Sequence, residues 1–287
     1  MIGPLAGVLF DGFAYGMLLF LLSVGLSVTL GMMNFINLAH CSFAMLGGYV
    51  AVTLMNRFGW PFFATLPAAF LAAAAASVIL ERTLFRRLYR ASELDQCLLT
   101  IGIVFMSVAA AAYAYGTVQQ PVQLPDYLRG AVSLRGVNLA AYRLFLVGAA
   151  AAITLVLVAA LEWTPFGAQV RAAVDNPRMA RGLGINVDRA FAITFALGSG
   201  LAGLGGALAI AIVGLDPAFA FTYLVYVLIV VSVGGLGTVG GSFAAAALLG
   251  ISDVAGKYYV PELGSFLIYL VMLGLLMWRP AGLFGRR

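Results

Sequence analysis

Charge is scarce in this chain. Charged residues make up 9% of its 287 residues, whereas hydrophobic residues make up 63%. A soluble globular domain is about 25% charged and roughly half apolar, so this composition cannot cover a globular surface with polar groups. The shortage of charge excludes an ordinary soluble protein and indicates a chain whose solvent is largely lipid.

Histidine, cysteine and lysine are nearly absent as well. His40 is the only histidine and Lys257 the only lysine, while Cys41 and Cys97 lie in or beside apolar segments without a partner spacing. No disulfide or metal-ligand framework follows, and we expect no metal site. The chain also lacks the G-x-x-x-x-G-K-[ST] motif that binds nucleotide phosphates, as well as the H-E-x-x-H and G-x-S-x-G motifs. We therefore expect neither an enzyme nor a chain that binds ATP, Mg²⁺ or another cofactor itself.

Long apolar runs are what the sequence does contain. A helix needs roughly 20 apolar residues to cross the hydrocarbon of a bilayer, and the alternating pattern of a transmembrane β-barrel is absent. We predict an all-α polytopic membrane protein, a single transmembrane domain over 1–287, with about eight to nine membrane segments. The apolar runs cover residues 5–30, 36–55, 60–80, 97–116, 143–162, 190–214, 221–233, 242–256 and 263–278.

Arginine clusters at the ends of these runs indicate the orientation. The positive-inside rule places such clusters in the cytoplasm, which leaves the N-terminus outside and the C-terminus inside. The same distribution accounts for the net charge of +5 without nucleic acid as a partner. No Lys or Arg precedes Arg57, so the first run lacks the basic flank of a secretory signal and is expected to be a retained span. The clusters are Arg82, Arg86, Arg87 and Arg90, then the segment 170–190, then Arg279, Arg286 and Arg287, and the predicted cytoplasmic segments are 82–95, 163–189 and 279–287.

The longest predicted outside loop covers residues 117–142. It opens with Gln and Pro residues, and beyond them Val132, Leu134 and Val137 alternate with polar residues. This alternation predicts a small extracytoplasmic hairpin.

The pair of short apolar runs within 221–256 is interrupted by "GGLGTVGG", residues 234–241. The two runs can be two spans or one re-entrant hairpin. Short, glycine-interrupted segments are typical of transport sites, but small residues also let helices pack closely. Both interpretations stay open at this point.

The segment "VRAAVDNPRMARGLGINVDRA", residues 170–190, is a charged island between apolar runs. Asn176, or alternatively Asp175, can cap a helix whose first position is Pro177. Either Gly182 or Gly184 can end this helix, and Asn186 or Asp188 can cap the next one. A solvated loop that fixes the topology would explain the charge. A docking element for a cytoplasmic partner would also explain why a capped helix exposes two apolar residues, and we favour it. The short helix contains Arg178, Met179, Ala180, Arg181 and Leu183.

A polar cluster, "NFINLAHC", lies near the start of the second run. On a helix Asn34, Asn37 and His40 share one face. Polar side chains within a membrane are costly unless they meet partners or a cavity. The cluster can therefore be a satisfied buried group or part of a solute path.

Several stretches together resemble one family. "GLSVTLGMMNFINLAHCSFAMLGGYVA", "RAAVDNPRMARGLGINVDRAFAITFALGSGLAGLGGALA", "VGGLGTVGGSFAAAALLG" and "RPAGLFG" occur in the same order as in ABC-transporter permeases for branched-chain amino acids. The similarity covers nearly the whole chain. Its length fits the shorter of the two permease subunits that such systems usually pair.

This resemblance implies a division of labour in a bacterial inner membrane. A periplasmic binding protein delivers the solute, and two homologous permeases, a heterodimer rather than a homodimer, form the path. Two cytoplasmic ATPase subunits bind ATP and Mg²⁺. The loop 163–189 would contact an ATPase through Arg171, Asp175, Asn176, Pro177, Arg178, Met179, Arg181, Leu183 and Gly184.

We predict that the polar cluster lines a solvated path for the solute, with the glycine-rich segment on the opposite side. Side-chain amides offer both donors and acceptors to a zwitterion, and exposed backbone N–H groups suit a carboxylate. Related permeases carry urea, amides or other amino acids, so a different small solute is an alternative. A secondary transporter or channel would place carboxylates deep in its spans, where Asp253 is the nearest to an example. The predicted path residues are Asn34, Asn37, His40, Gly234, Gly235, Gly237, Thr238, Gly240 and Gly241.

Overall fold

The structure, a computed structural model, describes residues 2–33, 35–89, 91–122, 124–134 and 137–285. Helices dominate it, and each of the apolar runs contains one, although the helix of run 36–55 begins only at His40. The helices are α1 (Ile2–Met33), α2 (His40–Phe58), α3 (Phe62–Leu80), a π-helical turn (Glu81–Phe85), α4 (Arg86–Leu88), α5 (Glu93–Tyr115), α6 (Asp126–Arg129), α7 (Ala141–Glu162), α8 (Pro165–Asp175), α9 (Pro177–Gly182), α10 (Val187–Val213), α11 (Phe219–Gly234), α12 (Val239–Tyr259) and α13 (Gly264–Trp278).

The prediction of an all-α polytopic membrane protein is confirmed. In the described part of the chain, six helices are long and apolar enough to cross a membrane, and the apolar helices α11 and α13 are shorter. The six spans are Leu5–Gly31, Phe62–Leu88, Glu93–Tyr115, Ala141–Glu162, Val187–Val213 and Val239–Tyr259.

The predicted hairpin is present as well. Strand β1 (Ala131–Leu134) pairs antiparallel with β2 (Val137–Ala140), with Val132 opposite Leu139. We call the end of the bundle that carries it the hairpin end. Asn56, at the end of α2, donates to the Pro121 carbonyl there at 3.0 Å, so α2 runs toward this end.

The opposite end of the bundle is here called the arginine end, because Arg86 and the arginine-rich α9 lie there. Arg86 forms an ion pair with Asp188 there, at the start of α10. Four described helices have a side chain capping their N-terminus, and all four begin at this end, where water can reach the backbone N–H groups. The capping residues are Ser92, Thr164, Asn176 and Asn186.

Helix α1 is the centre of the bundle and packs against α12 through small residues. A Cβ atom on Gly12 would lie 2.6 Å from the Cα of Ile251, and one on Gly16 would lie 2.9 Å from the Cα of Ala247. Gly12 and Gly16 are four residues apart, the spacing that lets membrane helices approach backbone to backbone. Farther along α1, Gly25 meets Gly198 of α10 in the same way.

The glycine-rich segment is the turn between two antiparallel helices, α11 and α12. It lies at the arginine end, where the N–H of Leu283 donates to the Val233 carbonyl at 2.7 Å and that of Phe284 to the Gly234 carbonyl at 3.2 Å. Since these residues follow α13, the α11–α12 pair reaches the same end of the bundle as α13 does. This geometry corresponds to two passes through the bundle rather than a hairpin that turns at mid-depth.

Candidate functional site

The charged island forms the predicted capped helix. The Asn176 Oδ1 atom accepts from the Met179 N–H at 3.0 Å, and Pro177 takes the first helical position. Asn176 rather than Asp175 is the cap. The chain leaves α9 through Gly184, whose φ of 83° is a left-handed conformation, and Asn186 then caps α10 by accepting from Arg189 N–H at 2.9 Å.

Helix α9 is held to the bundle by its own small core and by charge. Ala180 packs into an apolar cluster with Val170 and Val187, from the helices on either side. Asp188 accepts from Arg181 at 3.1 Å and also pairs with Arg86. These contacts join the short helix to the start of α10.

The outer face of α9 carries apolar side chains into solvent. Met179 is 67% exposed and Leu183 is 79% exposed, while Arg178, Asp175 and Pro177 are exposed around them. Arg171 lies apart from this face and donates to the Leu161 carbonyl. A capped projection with exposed apolar residues among arginines has the character of a docking surface.

A buried acid lies beneath this region. Glu81, in the π-helical turn, is 2% exposed and accepts from the Tyr89 hydroxyl at 2.9 Å. Burial, together with the Glu81 carboxylate, raises the pKa of Tyr89, so its hydroxyl stays protonated as a donor. This hydrogen bond ties the π-helical turn to the end of α4.

Asn37 and His40 of the predicted polar cluster lie inside the bundle, but the prediction that the cluster shares one helix face is wrong, because residues 35–39 are not helical and α2 begins at His40. Asn37 is 2% exposed and His40 is fully buried, with His40 Nε2 3.0 Å from the Leu22 carbonyl oxygen. Among the described residues, both amide atoms of Asn37, the Nδ1 atom of His40 and the Ser199 hydroxyl have no hydrogen-bond partner. An unsatisfied buried polar group costs about 1–3 kcal/mol of folding stability, so these residues destabilise the fold if they serve only to fill the core. Asn34 lies outside the described residues.

The glycine-rich turn lies at another depth. Gly237 packs against Gly31 near the end of α1, and Gly235 packs against Gly285. His40, by contrast, lies beside Leu22 and Gly25. Six residues separate Gly25 from Gly31, about 9 Å along a helix. The polar cluster and the turn are therefore offset along α1, a feature that the sequence pattern did not reveal.

Within the turn, two glycines supply the backbone conformation. Gly235 and Gly237 have φ values of 95° and 80°, and the Thr238 hydroxyl donates to the Gly235 carbonyl at 2.9 Å. Gly234 and Gly241 are in contact across the start of the turn. Gly240 is exposed.

Sequence reasoning missed a cavity of charged residues near the hairpin end. It has a volume of about 260 Å³ and lies among α1, α7, α10, α11 and α12. Asp11 forms an ion pair with Arg143 there, and the Lys257 ammonium lies 2.6 Å from Asp253 Oδ2. The spacing of Asp253 and Lys257 by four residues was a usable signal. No local pattern links Asp11 to Arg143.

Comparison with known proteins agrees with the fold. Residues 8–276 match the family described as "Branched-chain amino acid transport system / permease component". A probable branched-chain amino acid transport permease protein LivH of Methanocaldococcus jannaschii is 26% identical over 282 residues, covering 94% of this chain and 90% of that protein. The permease protein BraD of a high-affinity branched-chain amino acid transport system in Pseudomonas aeruginosa is 26% identical, covering 97% and 95%. LivH of Escherichia coli K12, from a system of the same description, is also 26% identical, covering 97% and 94%.

No solved structure matches this chain significantly. The family match, in contrast, runs from the first turns of α1 to the last turn of α13. It therefore includes the buried centre of the bundle, the projecting α9 and the glycine-rich turn. The chain belongs to the family of permease components of branched-chain amino acid transport systems.

Proposed function

We propose that this chain is the permease subunit of an ATP-driven importer for branched-chain amino acids. The observation that carries the proposal is the family match over residues 8–276. The names of the relatives support the solute class. The projection of α9, with Met179 and Leu183 exposed, supports a partner on the arginine end.

In this proposal the work is done by other subunits. ATP and Mg²⁺ bind to cytoplasmic ATPase subunits, a second homologous permease completes the path, and a periplasmic binding protein delivers the solute. The arginine end faces the cytoplasm of a bacterial cell, because the positive-inside rule favours arginine there. The N-terminus is then outside and the C-terminus inside.

Coupling occurs through α9. Met179 and Leu183 enter an apolar groove of the ATPase, while Arg178 meets acidic residues at its rim. Since Arg181, Asp188 and Arg86 join α9 to the bundle, a movement of the ATPase shifts α10 and the start of α4 together.

The solute path runs along α1. The polar atoms of Asn37 and His40 that lack partners need water or a solute to satisfy them. They become accessible when α2 and α10 move relative to α1. The glycine-rich turn then forms a separate, cytoplasmic part of the route.

Uptake of radiolabelled solutes tests this function. Cells with and without the gene are compared for leucine, isoleucine, valine, urea and arginine. The proposal expects that cells without the gene lose only the uptake of branched-chain amino acids. In cells with the gene, this uptake should stop when ATP is depleted and should resist a protonophore at constant ATP. Loss of urea uptake alone would indicate the alternative solute, and sensitivity to the protonophore at constant ATP would indicate a secondary transporter.

A further inference from the structure

The cavity near the hairpin end lies where five helices meet and is open on one side. Its walls come from α1, the central helix, together with α10 and α12, which pack on α1, and with α7 and α11. A volume of about 260 Å³ is suited to a small molecule, since pockets for drug-sized ligands start at roughly 300 Å³.

The charges around this cavity are balanced. Two acids and two bases line it, as the pairs Asp11–Arg143 and Asp253–Lys257. A net cation or anion entering it would add an uncompensated charge in a partly desolvated space, which is costly. A zwitterion adds none.

The second pair has unused hydrogen-bonding capacity. Asp253 is 1% exposed, and its Oδ1 atom has no partner among the described residues. The Lys257 side chain is half exposed. An ammonium group has three donors, and only the one to Asp253 Oδ2 is used here among the described hydrogen bonds. A carboxylate oxygen without a partner among the described residues, Asp253 Oδ1, and an ammonium with free donors thus lie side by side.

The rest of the wall is apolar or phenolic. Ile212, Val213 and Val254 present branched aliphatic side chains, and Tyr15 and Tyr223 present aromatic rings. An aliphatic side chain would therefore be removed from water within the same cavity. Each buried CH₂ contributes about 0.8 kcal/mol to binding.

We propose that this cavity binds the solute as a zwitterionic aliphatic amino acid on its way into the permease from the hairpin end. The solute ammonium binds the Asp253 carboxylate, and its carboxylate binds the Lys257 ammonium. The aliphatic side chain contacts Ile212 and Val254. The proposal rests on the proposed function of the chain as an amino acid permease.

This arrangement favours weak, reversible binding. The Asp253–Lys257 pair exists before the solute arrives, so the solute replaces part of one ion pair by two others and gains little net Coulomb energy. A transport site has to release its solute, and modest affinity suits that task.

A purely structural ion pair is the competing explanation, and charge reversal distinguishes the two. Asp253→Lys combined with Lys257→Asp restores an i,i+4 pair but moves each charge by one helical turn. A solute bound in a fixed orientation is lost after this exchange, and the melting temperature of the double variant shows whether the buried position 253 accepts the lysine. The exposed pair Asp126–Arg129 at the same end provides a matched control, neutralised as Asp126→Asn with Arg129→Gln.

The experiment measures leucine uptake by the assembled transport complex in proteoliposomes. It also measures tritiated leucine binding to the purified complex of permeases and ATPases, without the binding protein and without ATP. We expect Asp253→Asn, Lys257→Gln and the charge-reversed double variant each to lower uptake and binding by about tenfold or more. The control double variant should match the parent. Isoamylamine and isocaproate, which each lack one charge of leucine, should not compete with leucine binding.

The outcomes separate this site from the function. A parent complex that takes up no branched-chain amino acid contradicts the proposed function. A parent that transports leucine, with a charge-reversed variant that transports equally, contradicts this site alone. Equal competition by either analogue contradicts it too. Thermal unfolding of each variant in detergent excludes misfolding as the cause of a lost activity.

Discussion

The hydroxyl oxygens of Ser27 on α1 and Ser242 on α12 lie 2.5 Å apart, although 215 positions separate them in the chain. The two helices run antiparallel around this hydrogen bond, with Gly16 against Ala247 on one side and Gly31 against Gly237 on the other. Helix α1, at the start of the chain, thus packs along α12, near its end. No subdomain made of the first half of the chain alone could bury α1.

The close contact of Gly16 on α1 with the backbone of α12 predicts that a larger side chain at position 16 destabilises the protein. Gly16→Leu should destabilise the protein by about 1–3 kcal/mol, because its Cβ would meet the backbone of Ala246 and Ala247. Thermal unfolding in detergent measures this effect. Gly7→Leu, on the same helix but with open space at its Cβ, is the control and should unfold at the parental temperature. Equal unfolding temperatures for both variants would contradict this close packing of α1 on α12.

The docking surface predicts a loss of coupling without a loss of folding. Met179→Glu with Leu183→Glu should abolish ATP-driven uptake by the complex, because two carboxylates replace the apolar residues that α9 presents. The variant should still insert into the membrane, since both side chains are exposed. Leu94→Glu, which is similarly exposed at the start of α5, should leave uptake intact. Normal uptake by the double variant would mean that the island only fixes the topology.

The cap of α9 predicts a smaller effect. Asn176→Ala removes the acceptor for the Met179 N–H and should cost about 1 kcal/mol of local helix stability. Asn176→Asp and Asn176→Ser keep an acceptor and should retain most uptake. A graded series of uptake rates in the order Asn, Asp or Ser, then Ala would support a helix that must be formed for coupling, and identical rates would argue against it.

The buried polar cluster predicts opposite changes in stability and activity. Asn37→Leu removes two amide atoms that lack partners, so the melting temperature should rise or stay constant. Uptake should fall, because a solvated route loses its amide. His40→Leu should also lower uptake, but it breaks the contact with the Leu22 carbonyl and should not stabilise the protein. If Asn37→Leu transports at the parental rate, the cluster is packing and the route lies elsewhere.

The orientation of the bundle is open to a labelling test. A single cysteine at position 178, in a background with Cys41→Ala and Cys97→Ala, should react with a membrane-impermeant reagent only from the cytoplasmic side. A single cysteine at position 118, where Val118 is exposed at the hairpin end, should react only from outside. Labelling of both from one side would contradict the two-ended arrangement, and reversed sides would contradict the positive-inside assignment.

Features that depend on neighbours along the chain were predictable. The apolar runs became helices, because the length of a run and the need to satisfy every backbone N–H and C=O in lipid leave few other structures. The cap at Asn176, the Pro177 start and the hairpin at 131–140 followed from local rules of the same kind. The offset between His40 and the glycine-rich turn could not be predicted from local rules, because it depends on how α1 packs against α11 and α12.

The sequence by itself determined which segments cross the bundle, where the charged island lies and that its short helix is capped. The tertiary structure decided which residues meet, as for Asp11 with Arg143, and which side of each helix is buried, as for Asp253. The physical reason is that helices that are apolar around most of their circumference carry little information about their rotation. Their rotation is set by small residues such as Gly16 and Gly250 at close contacts, and only packing reveals which of the many glycines those are.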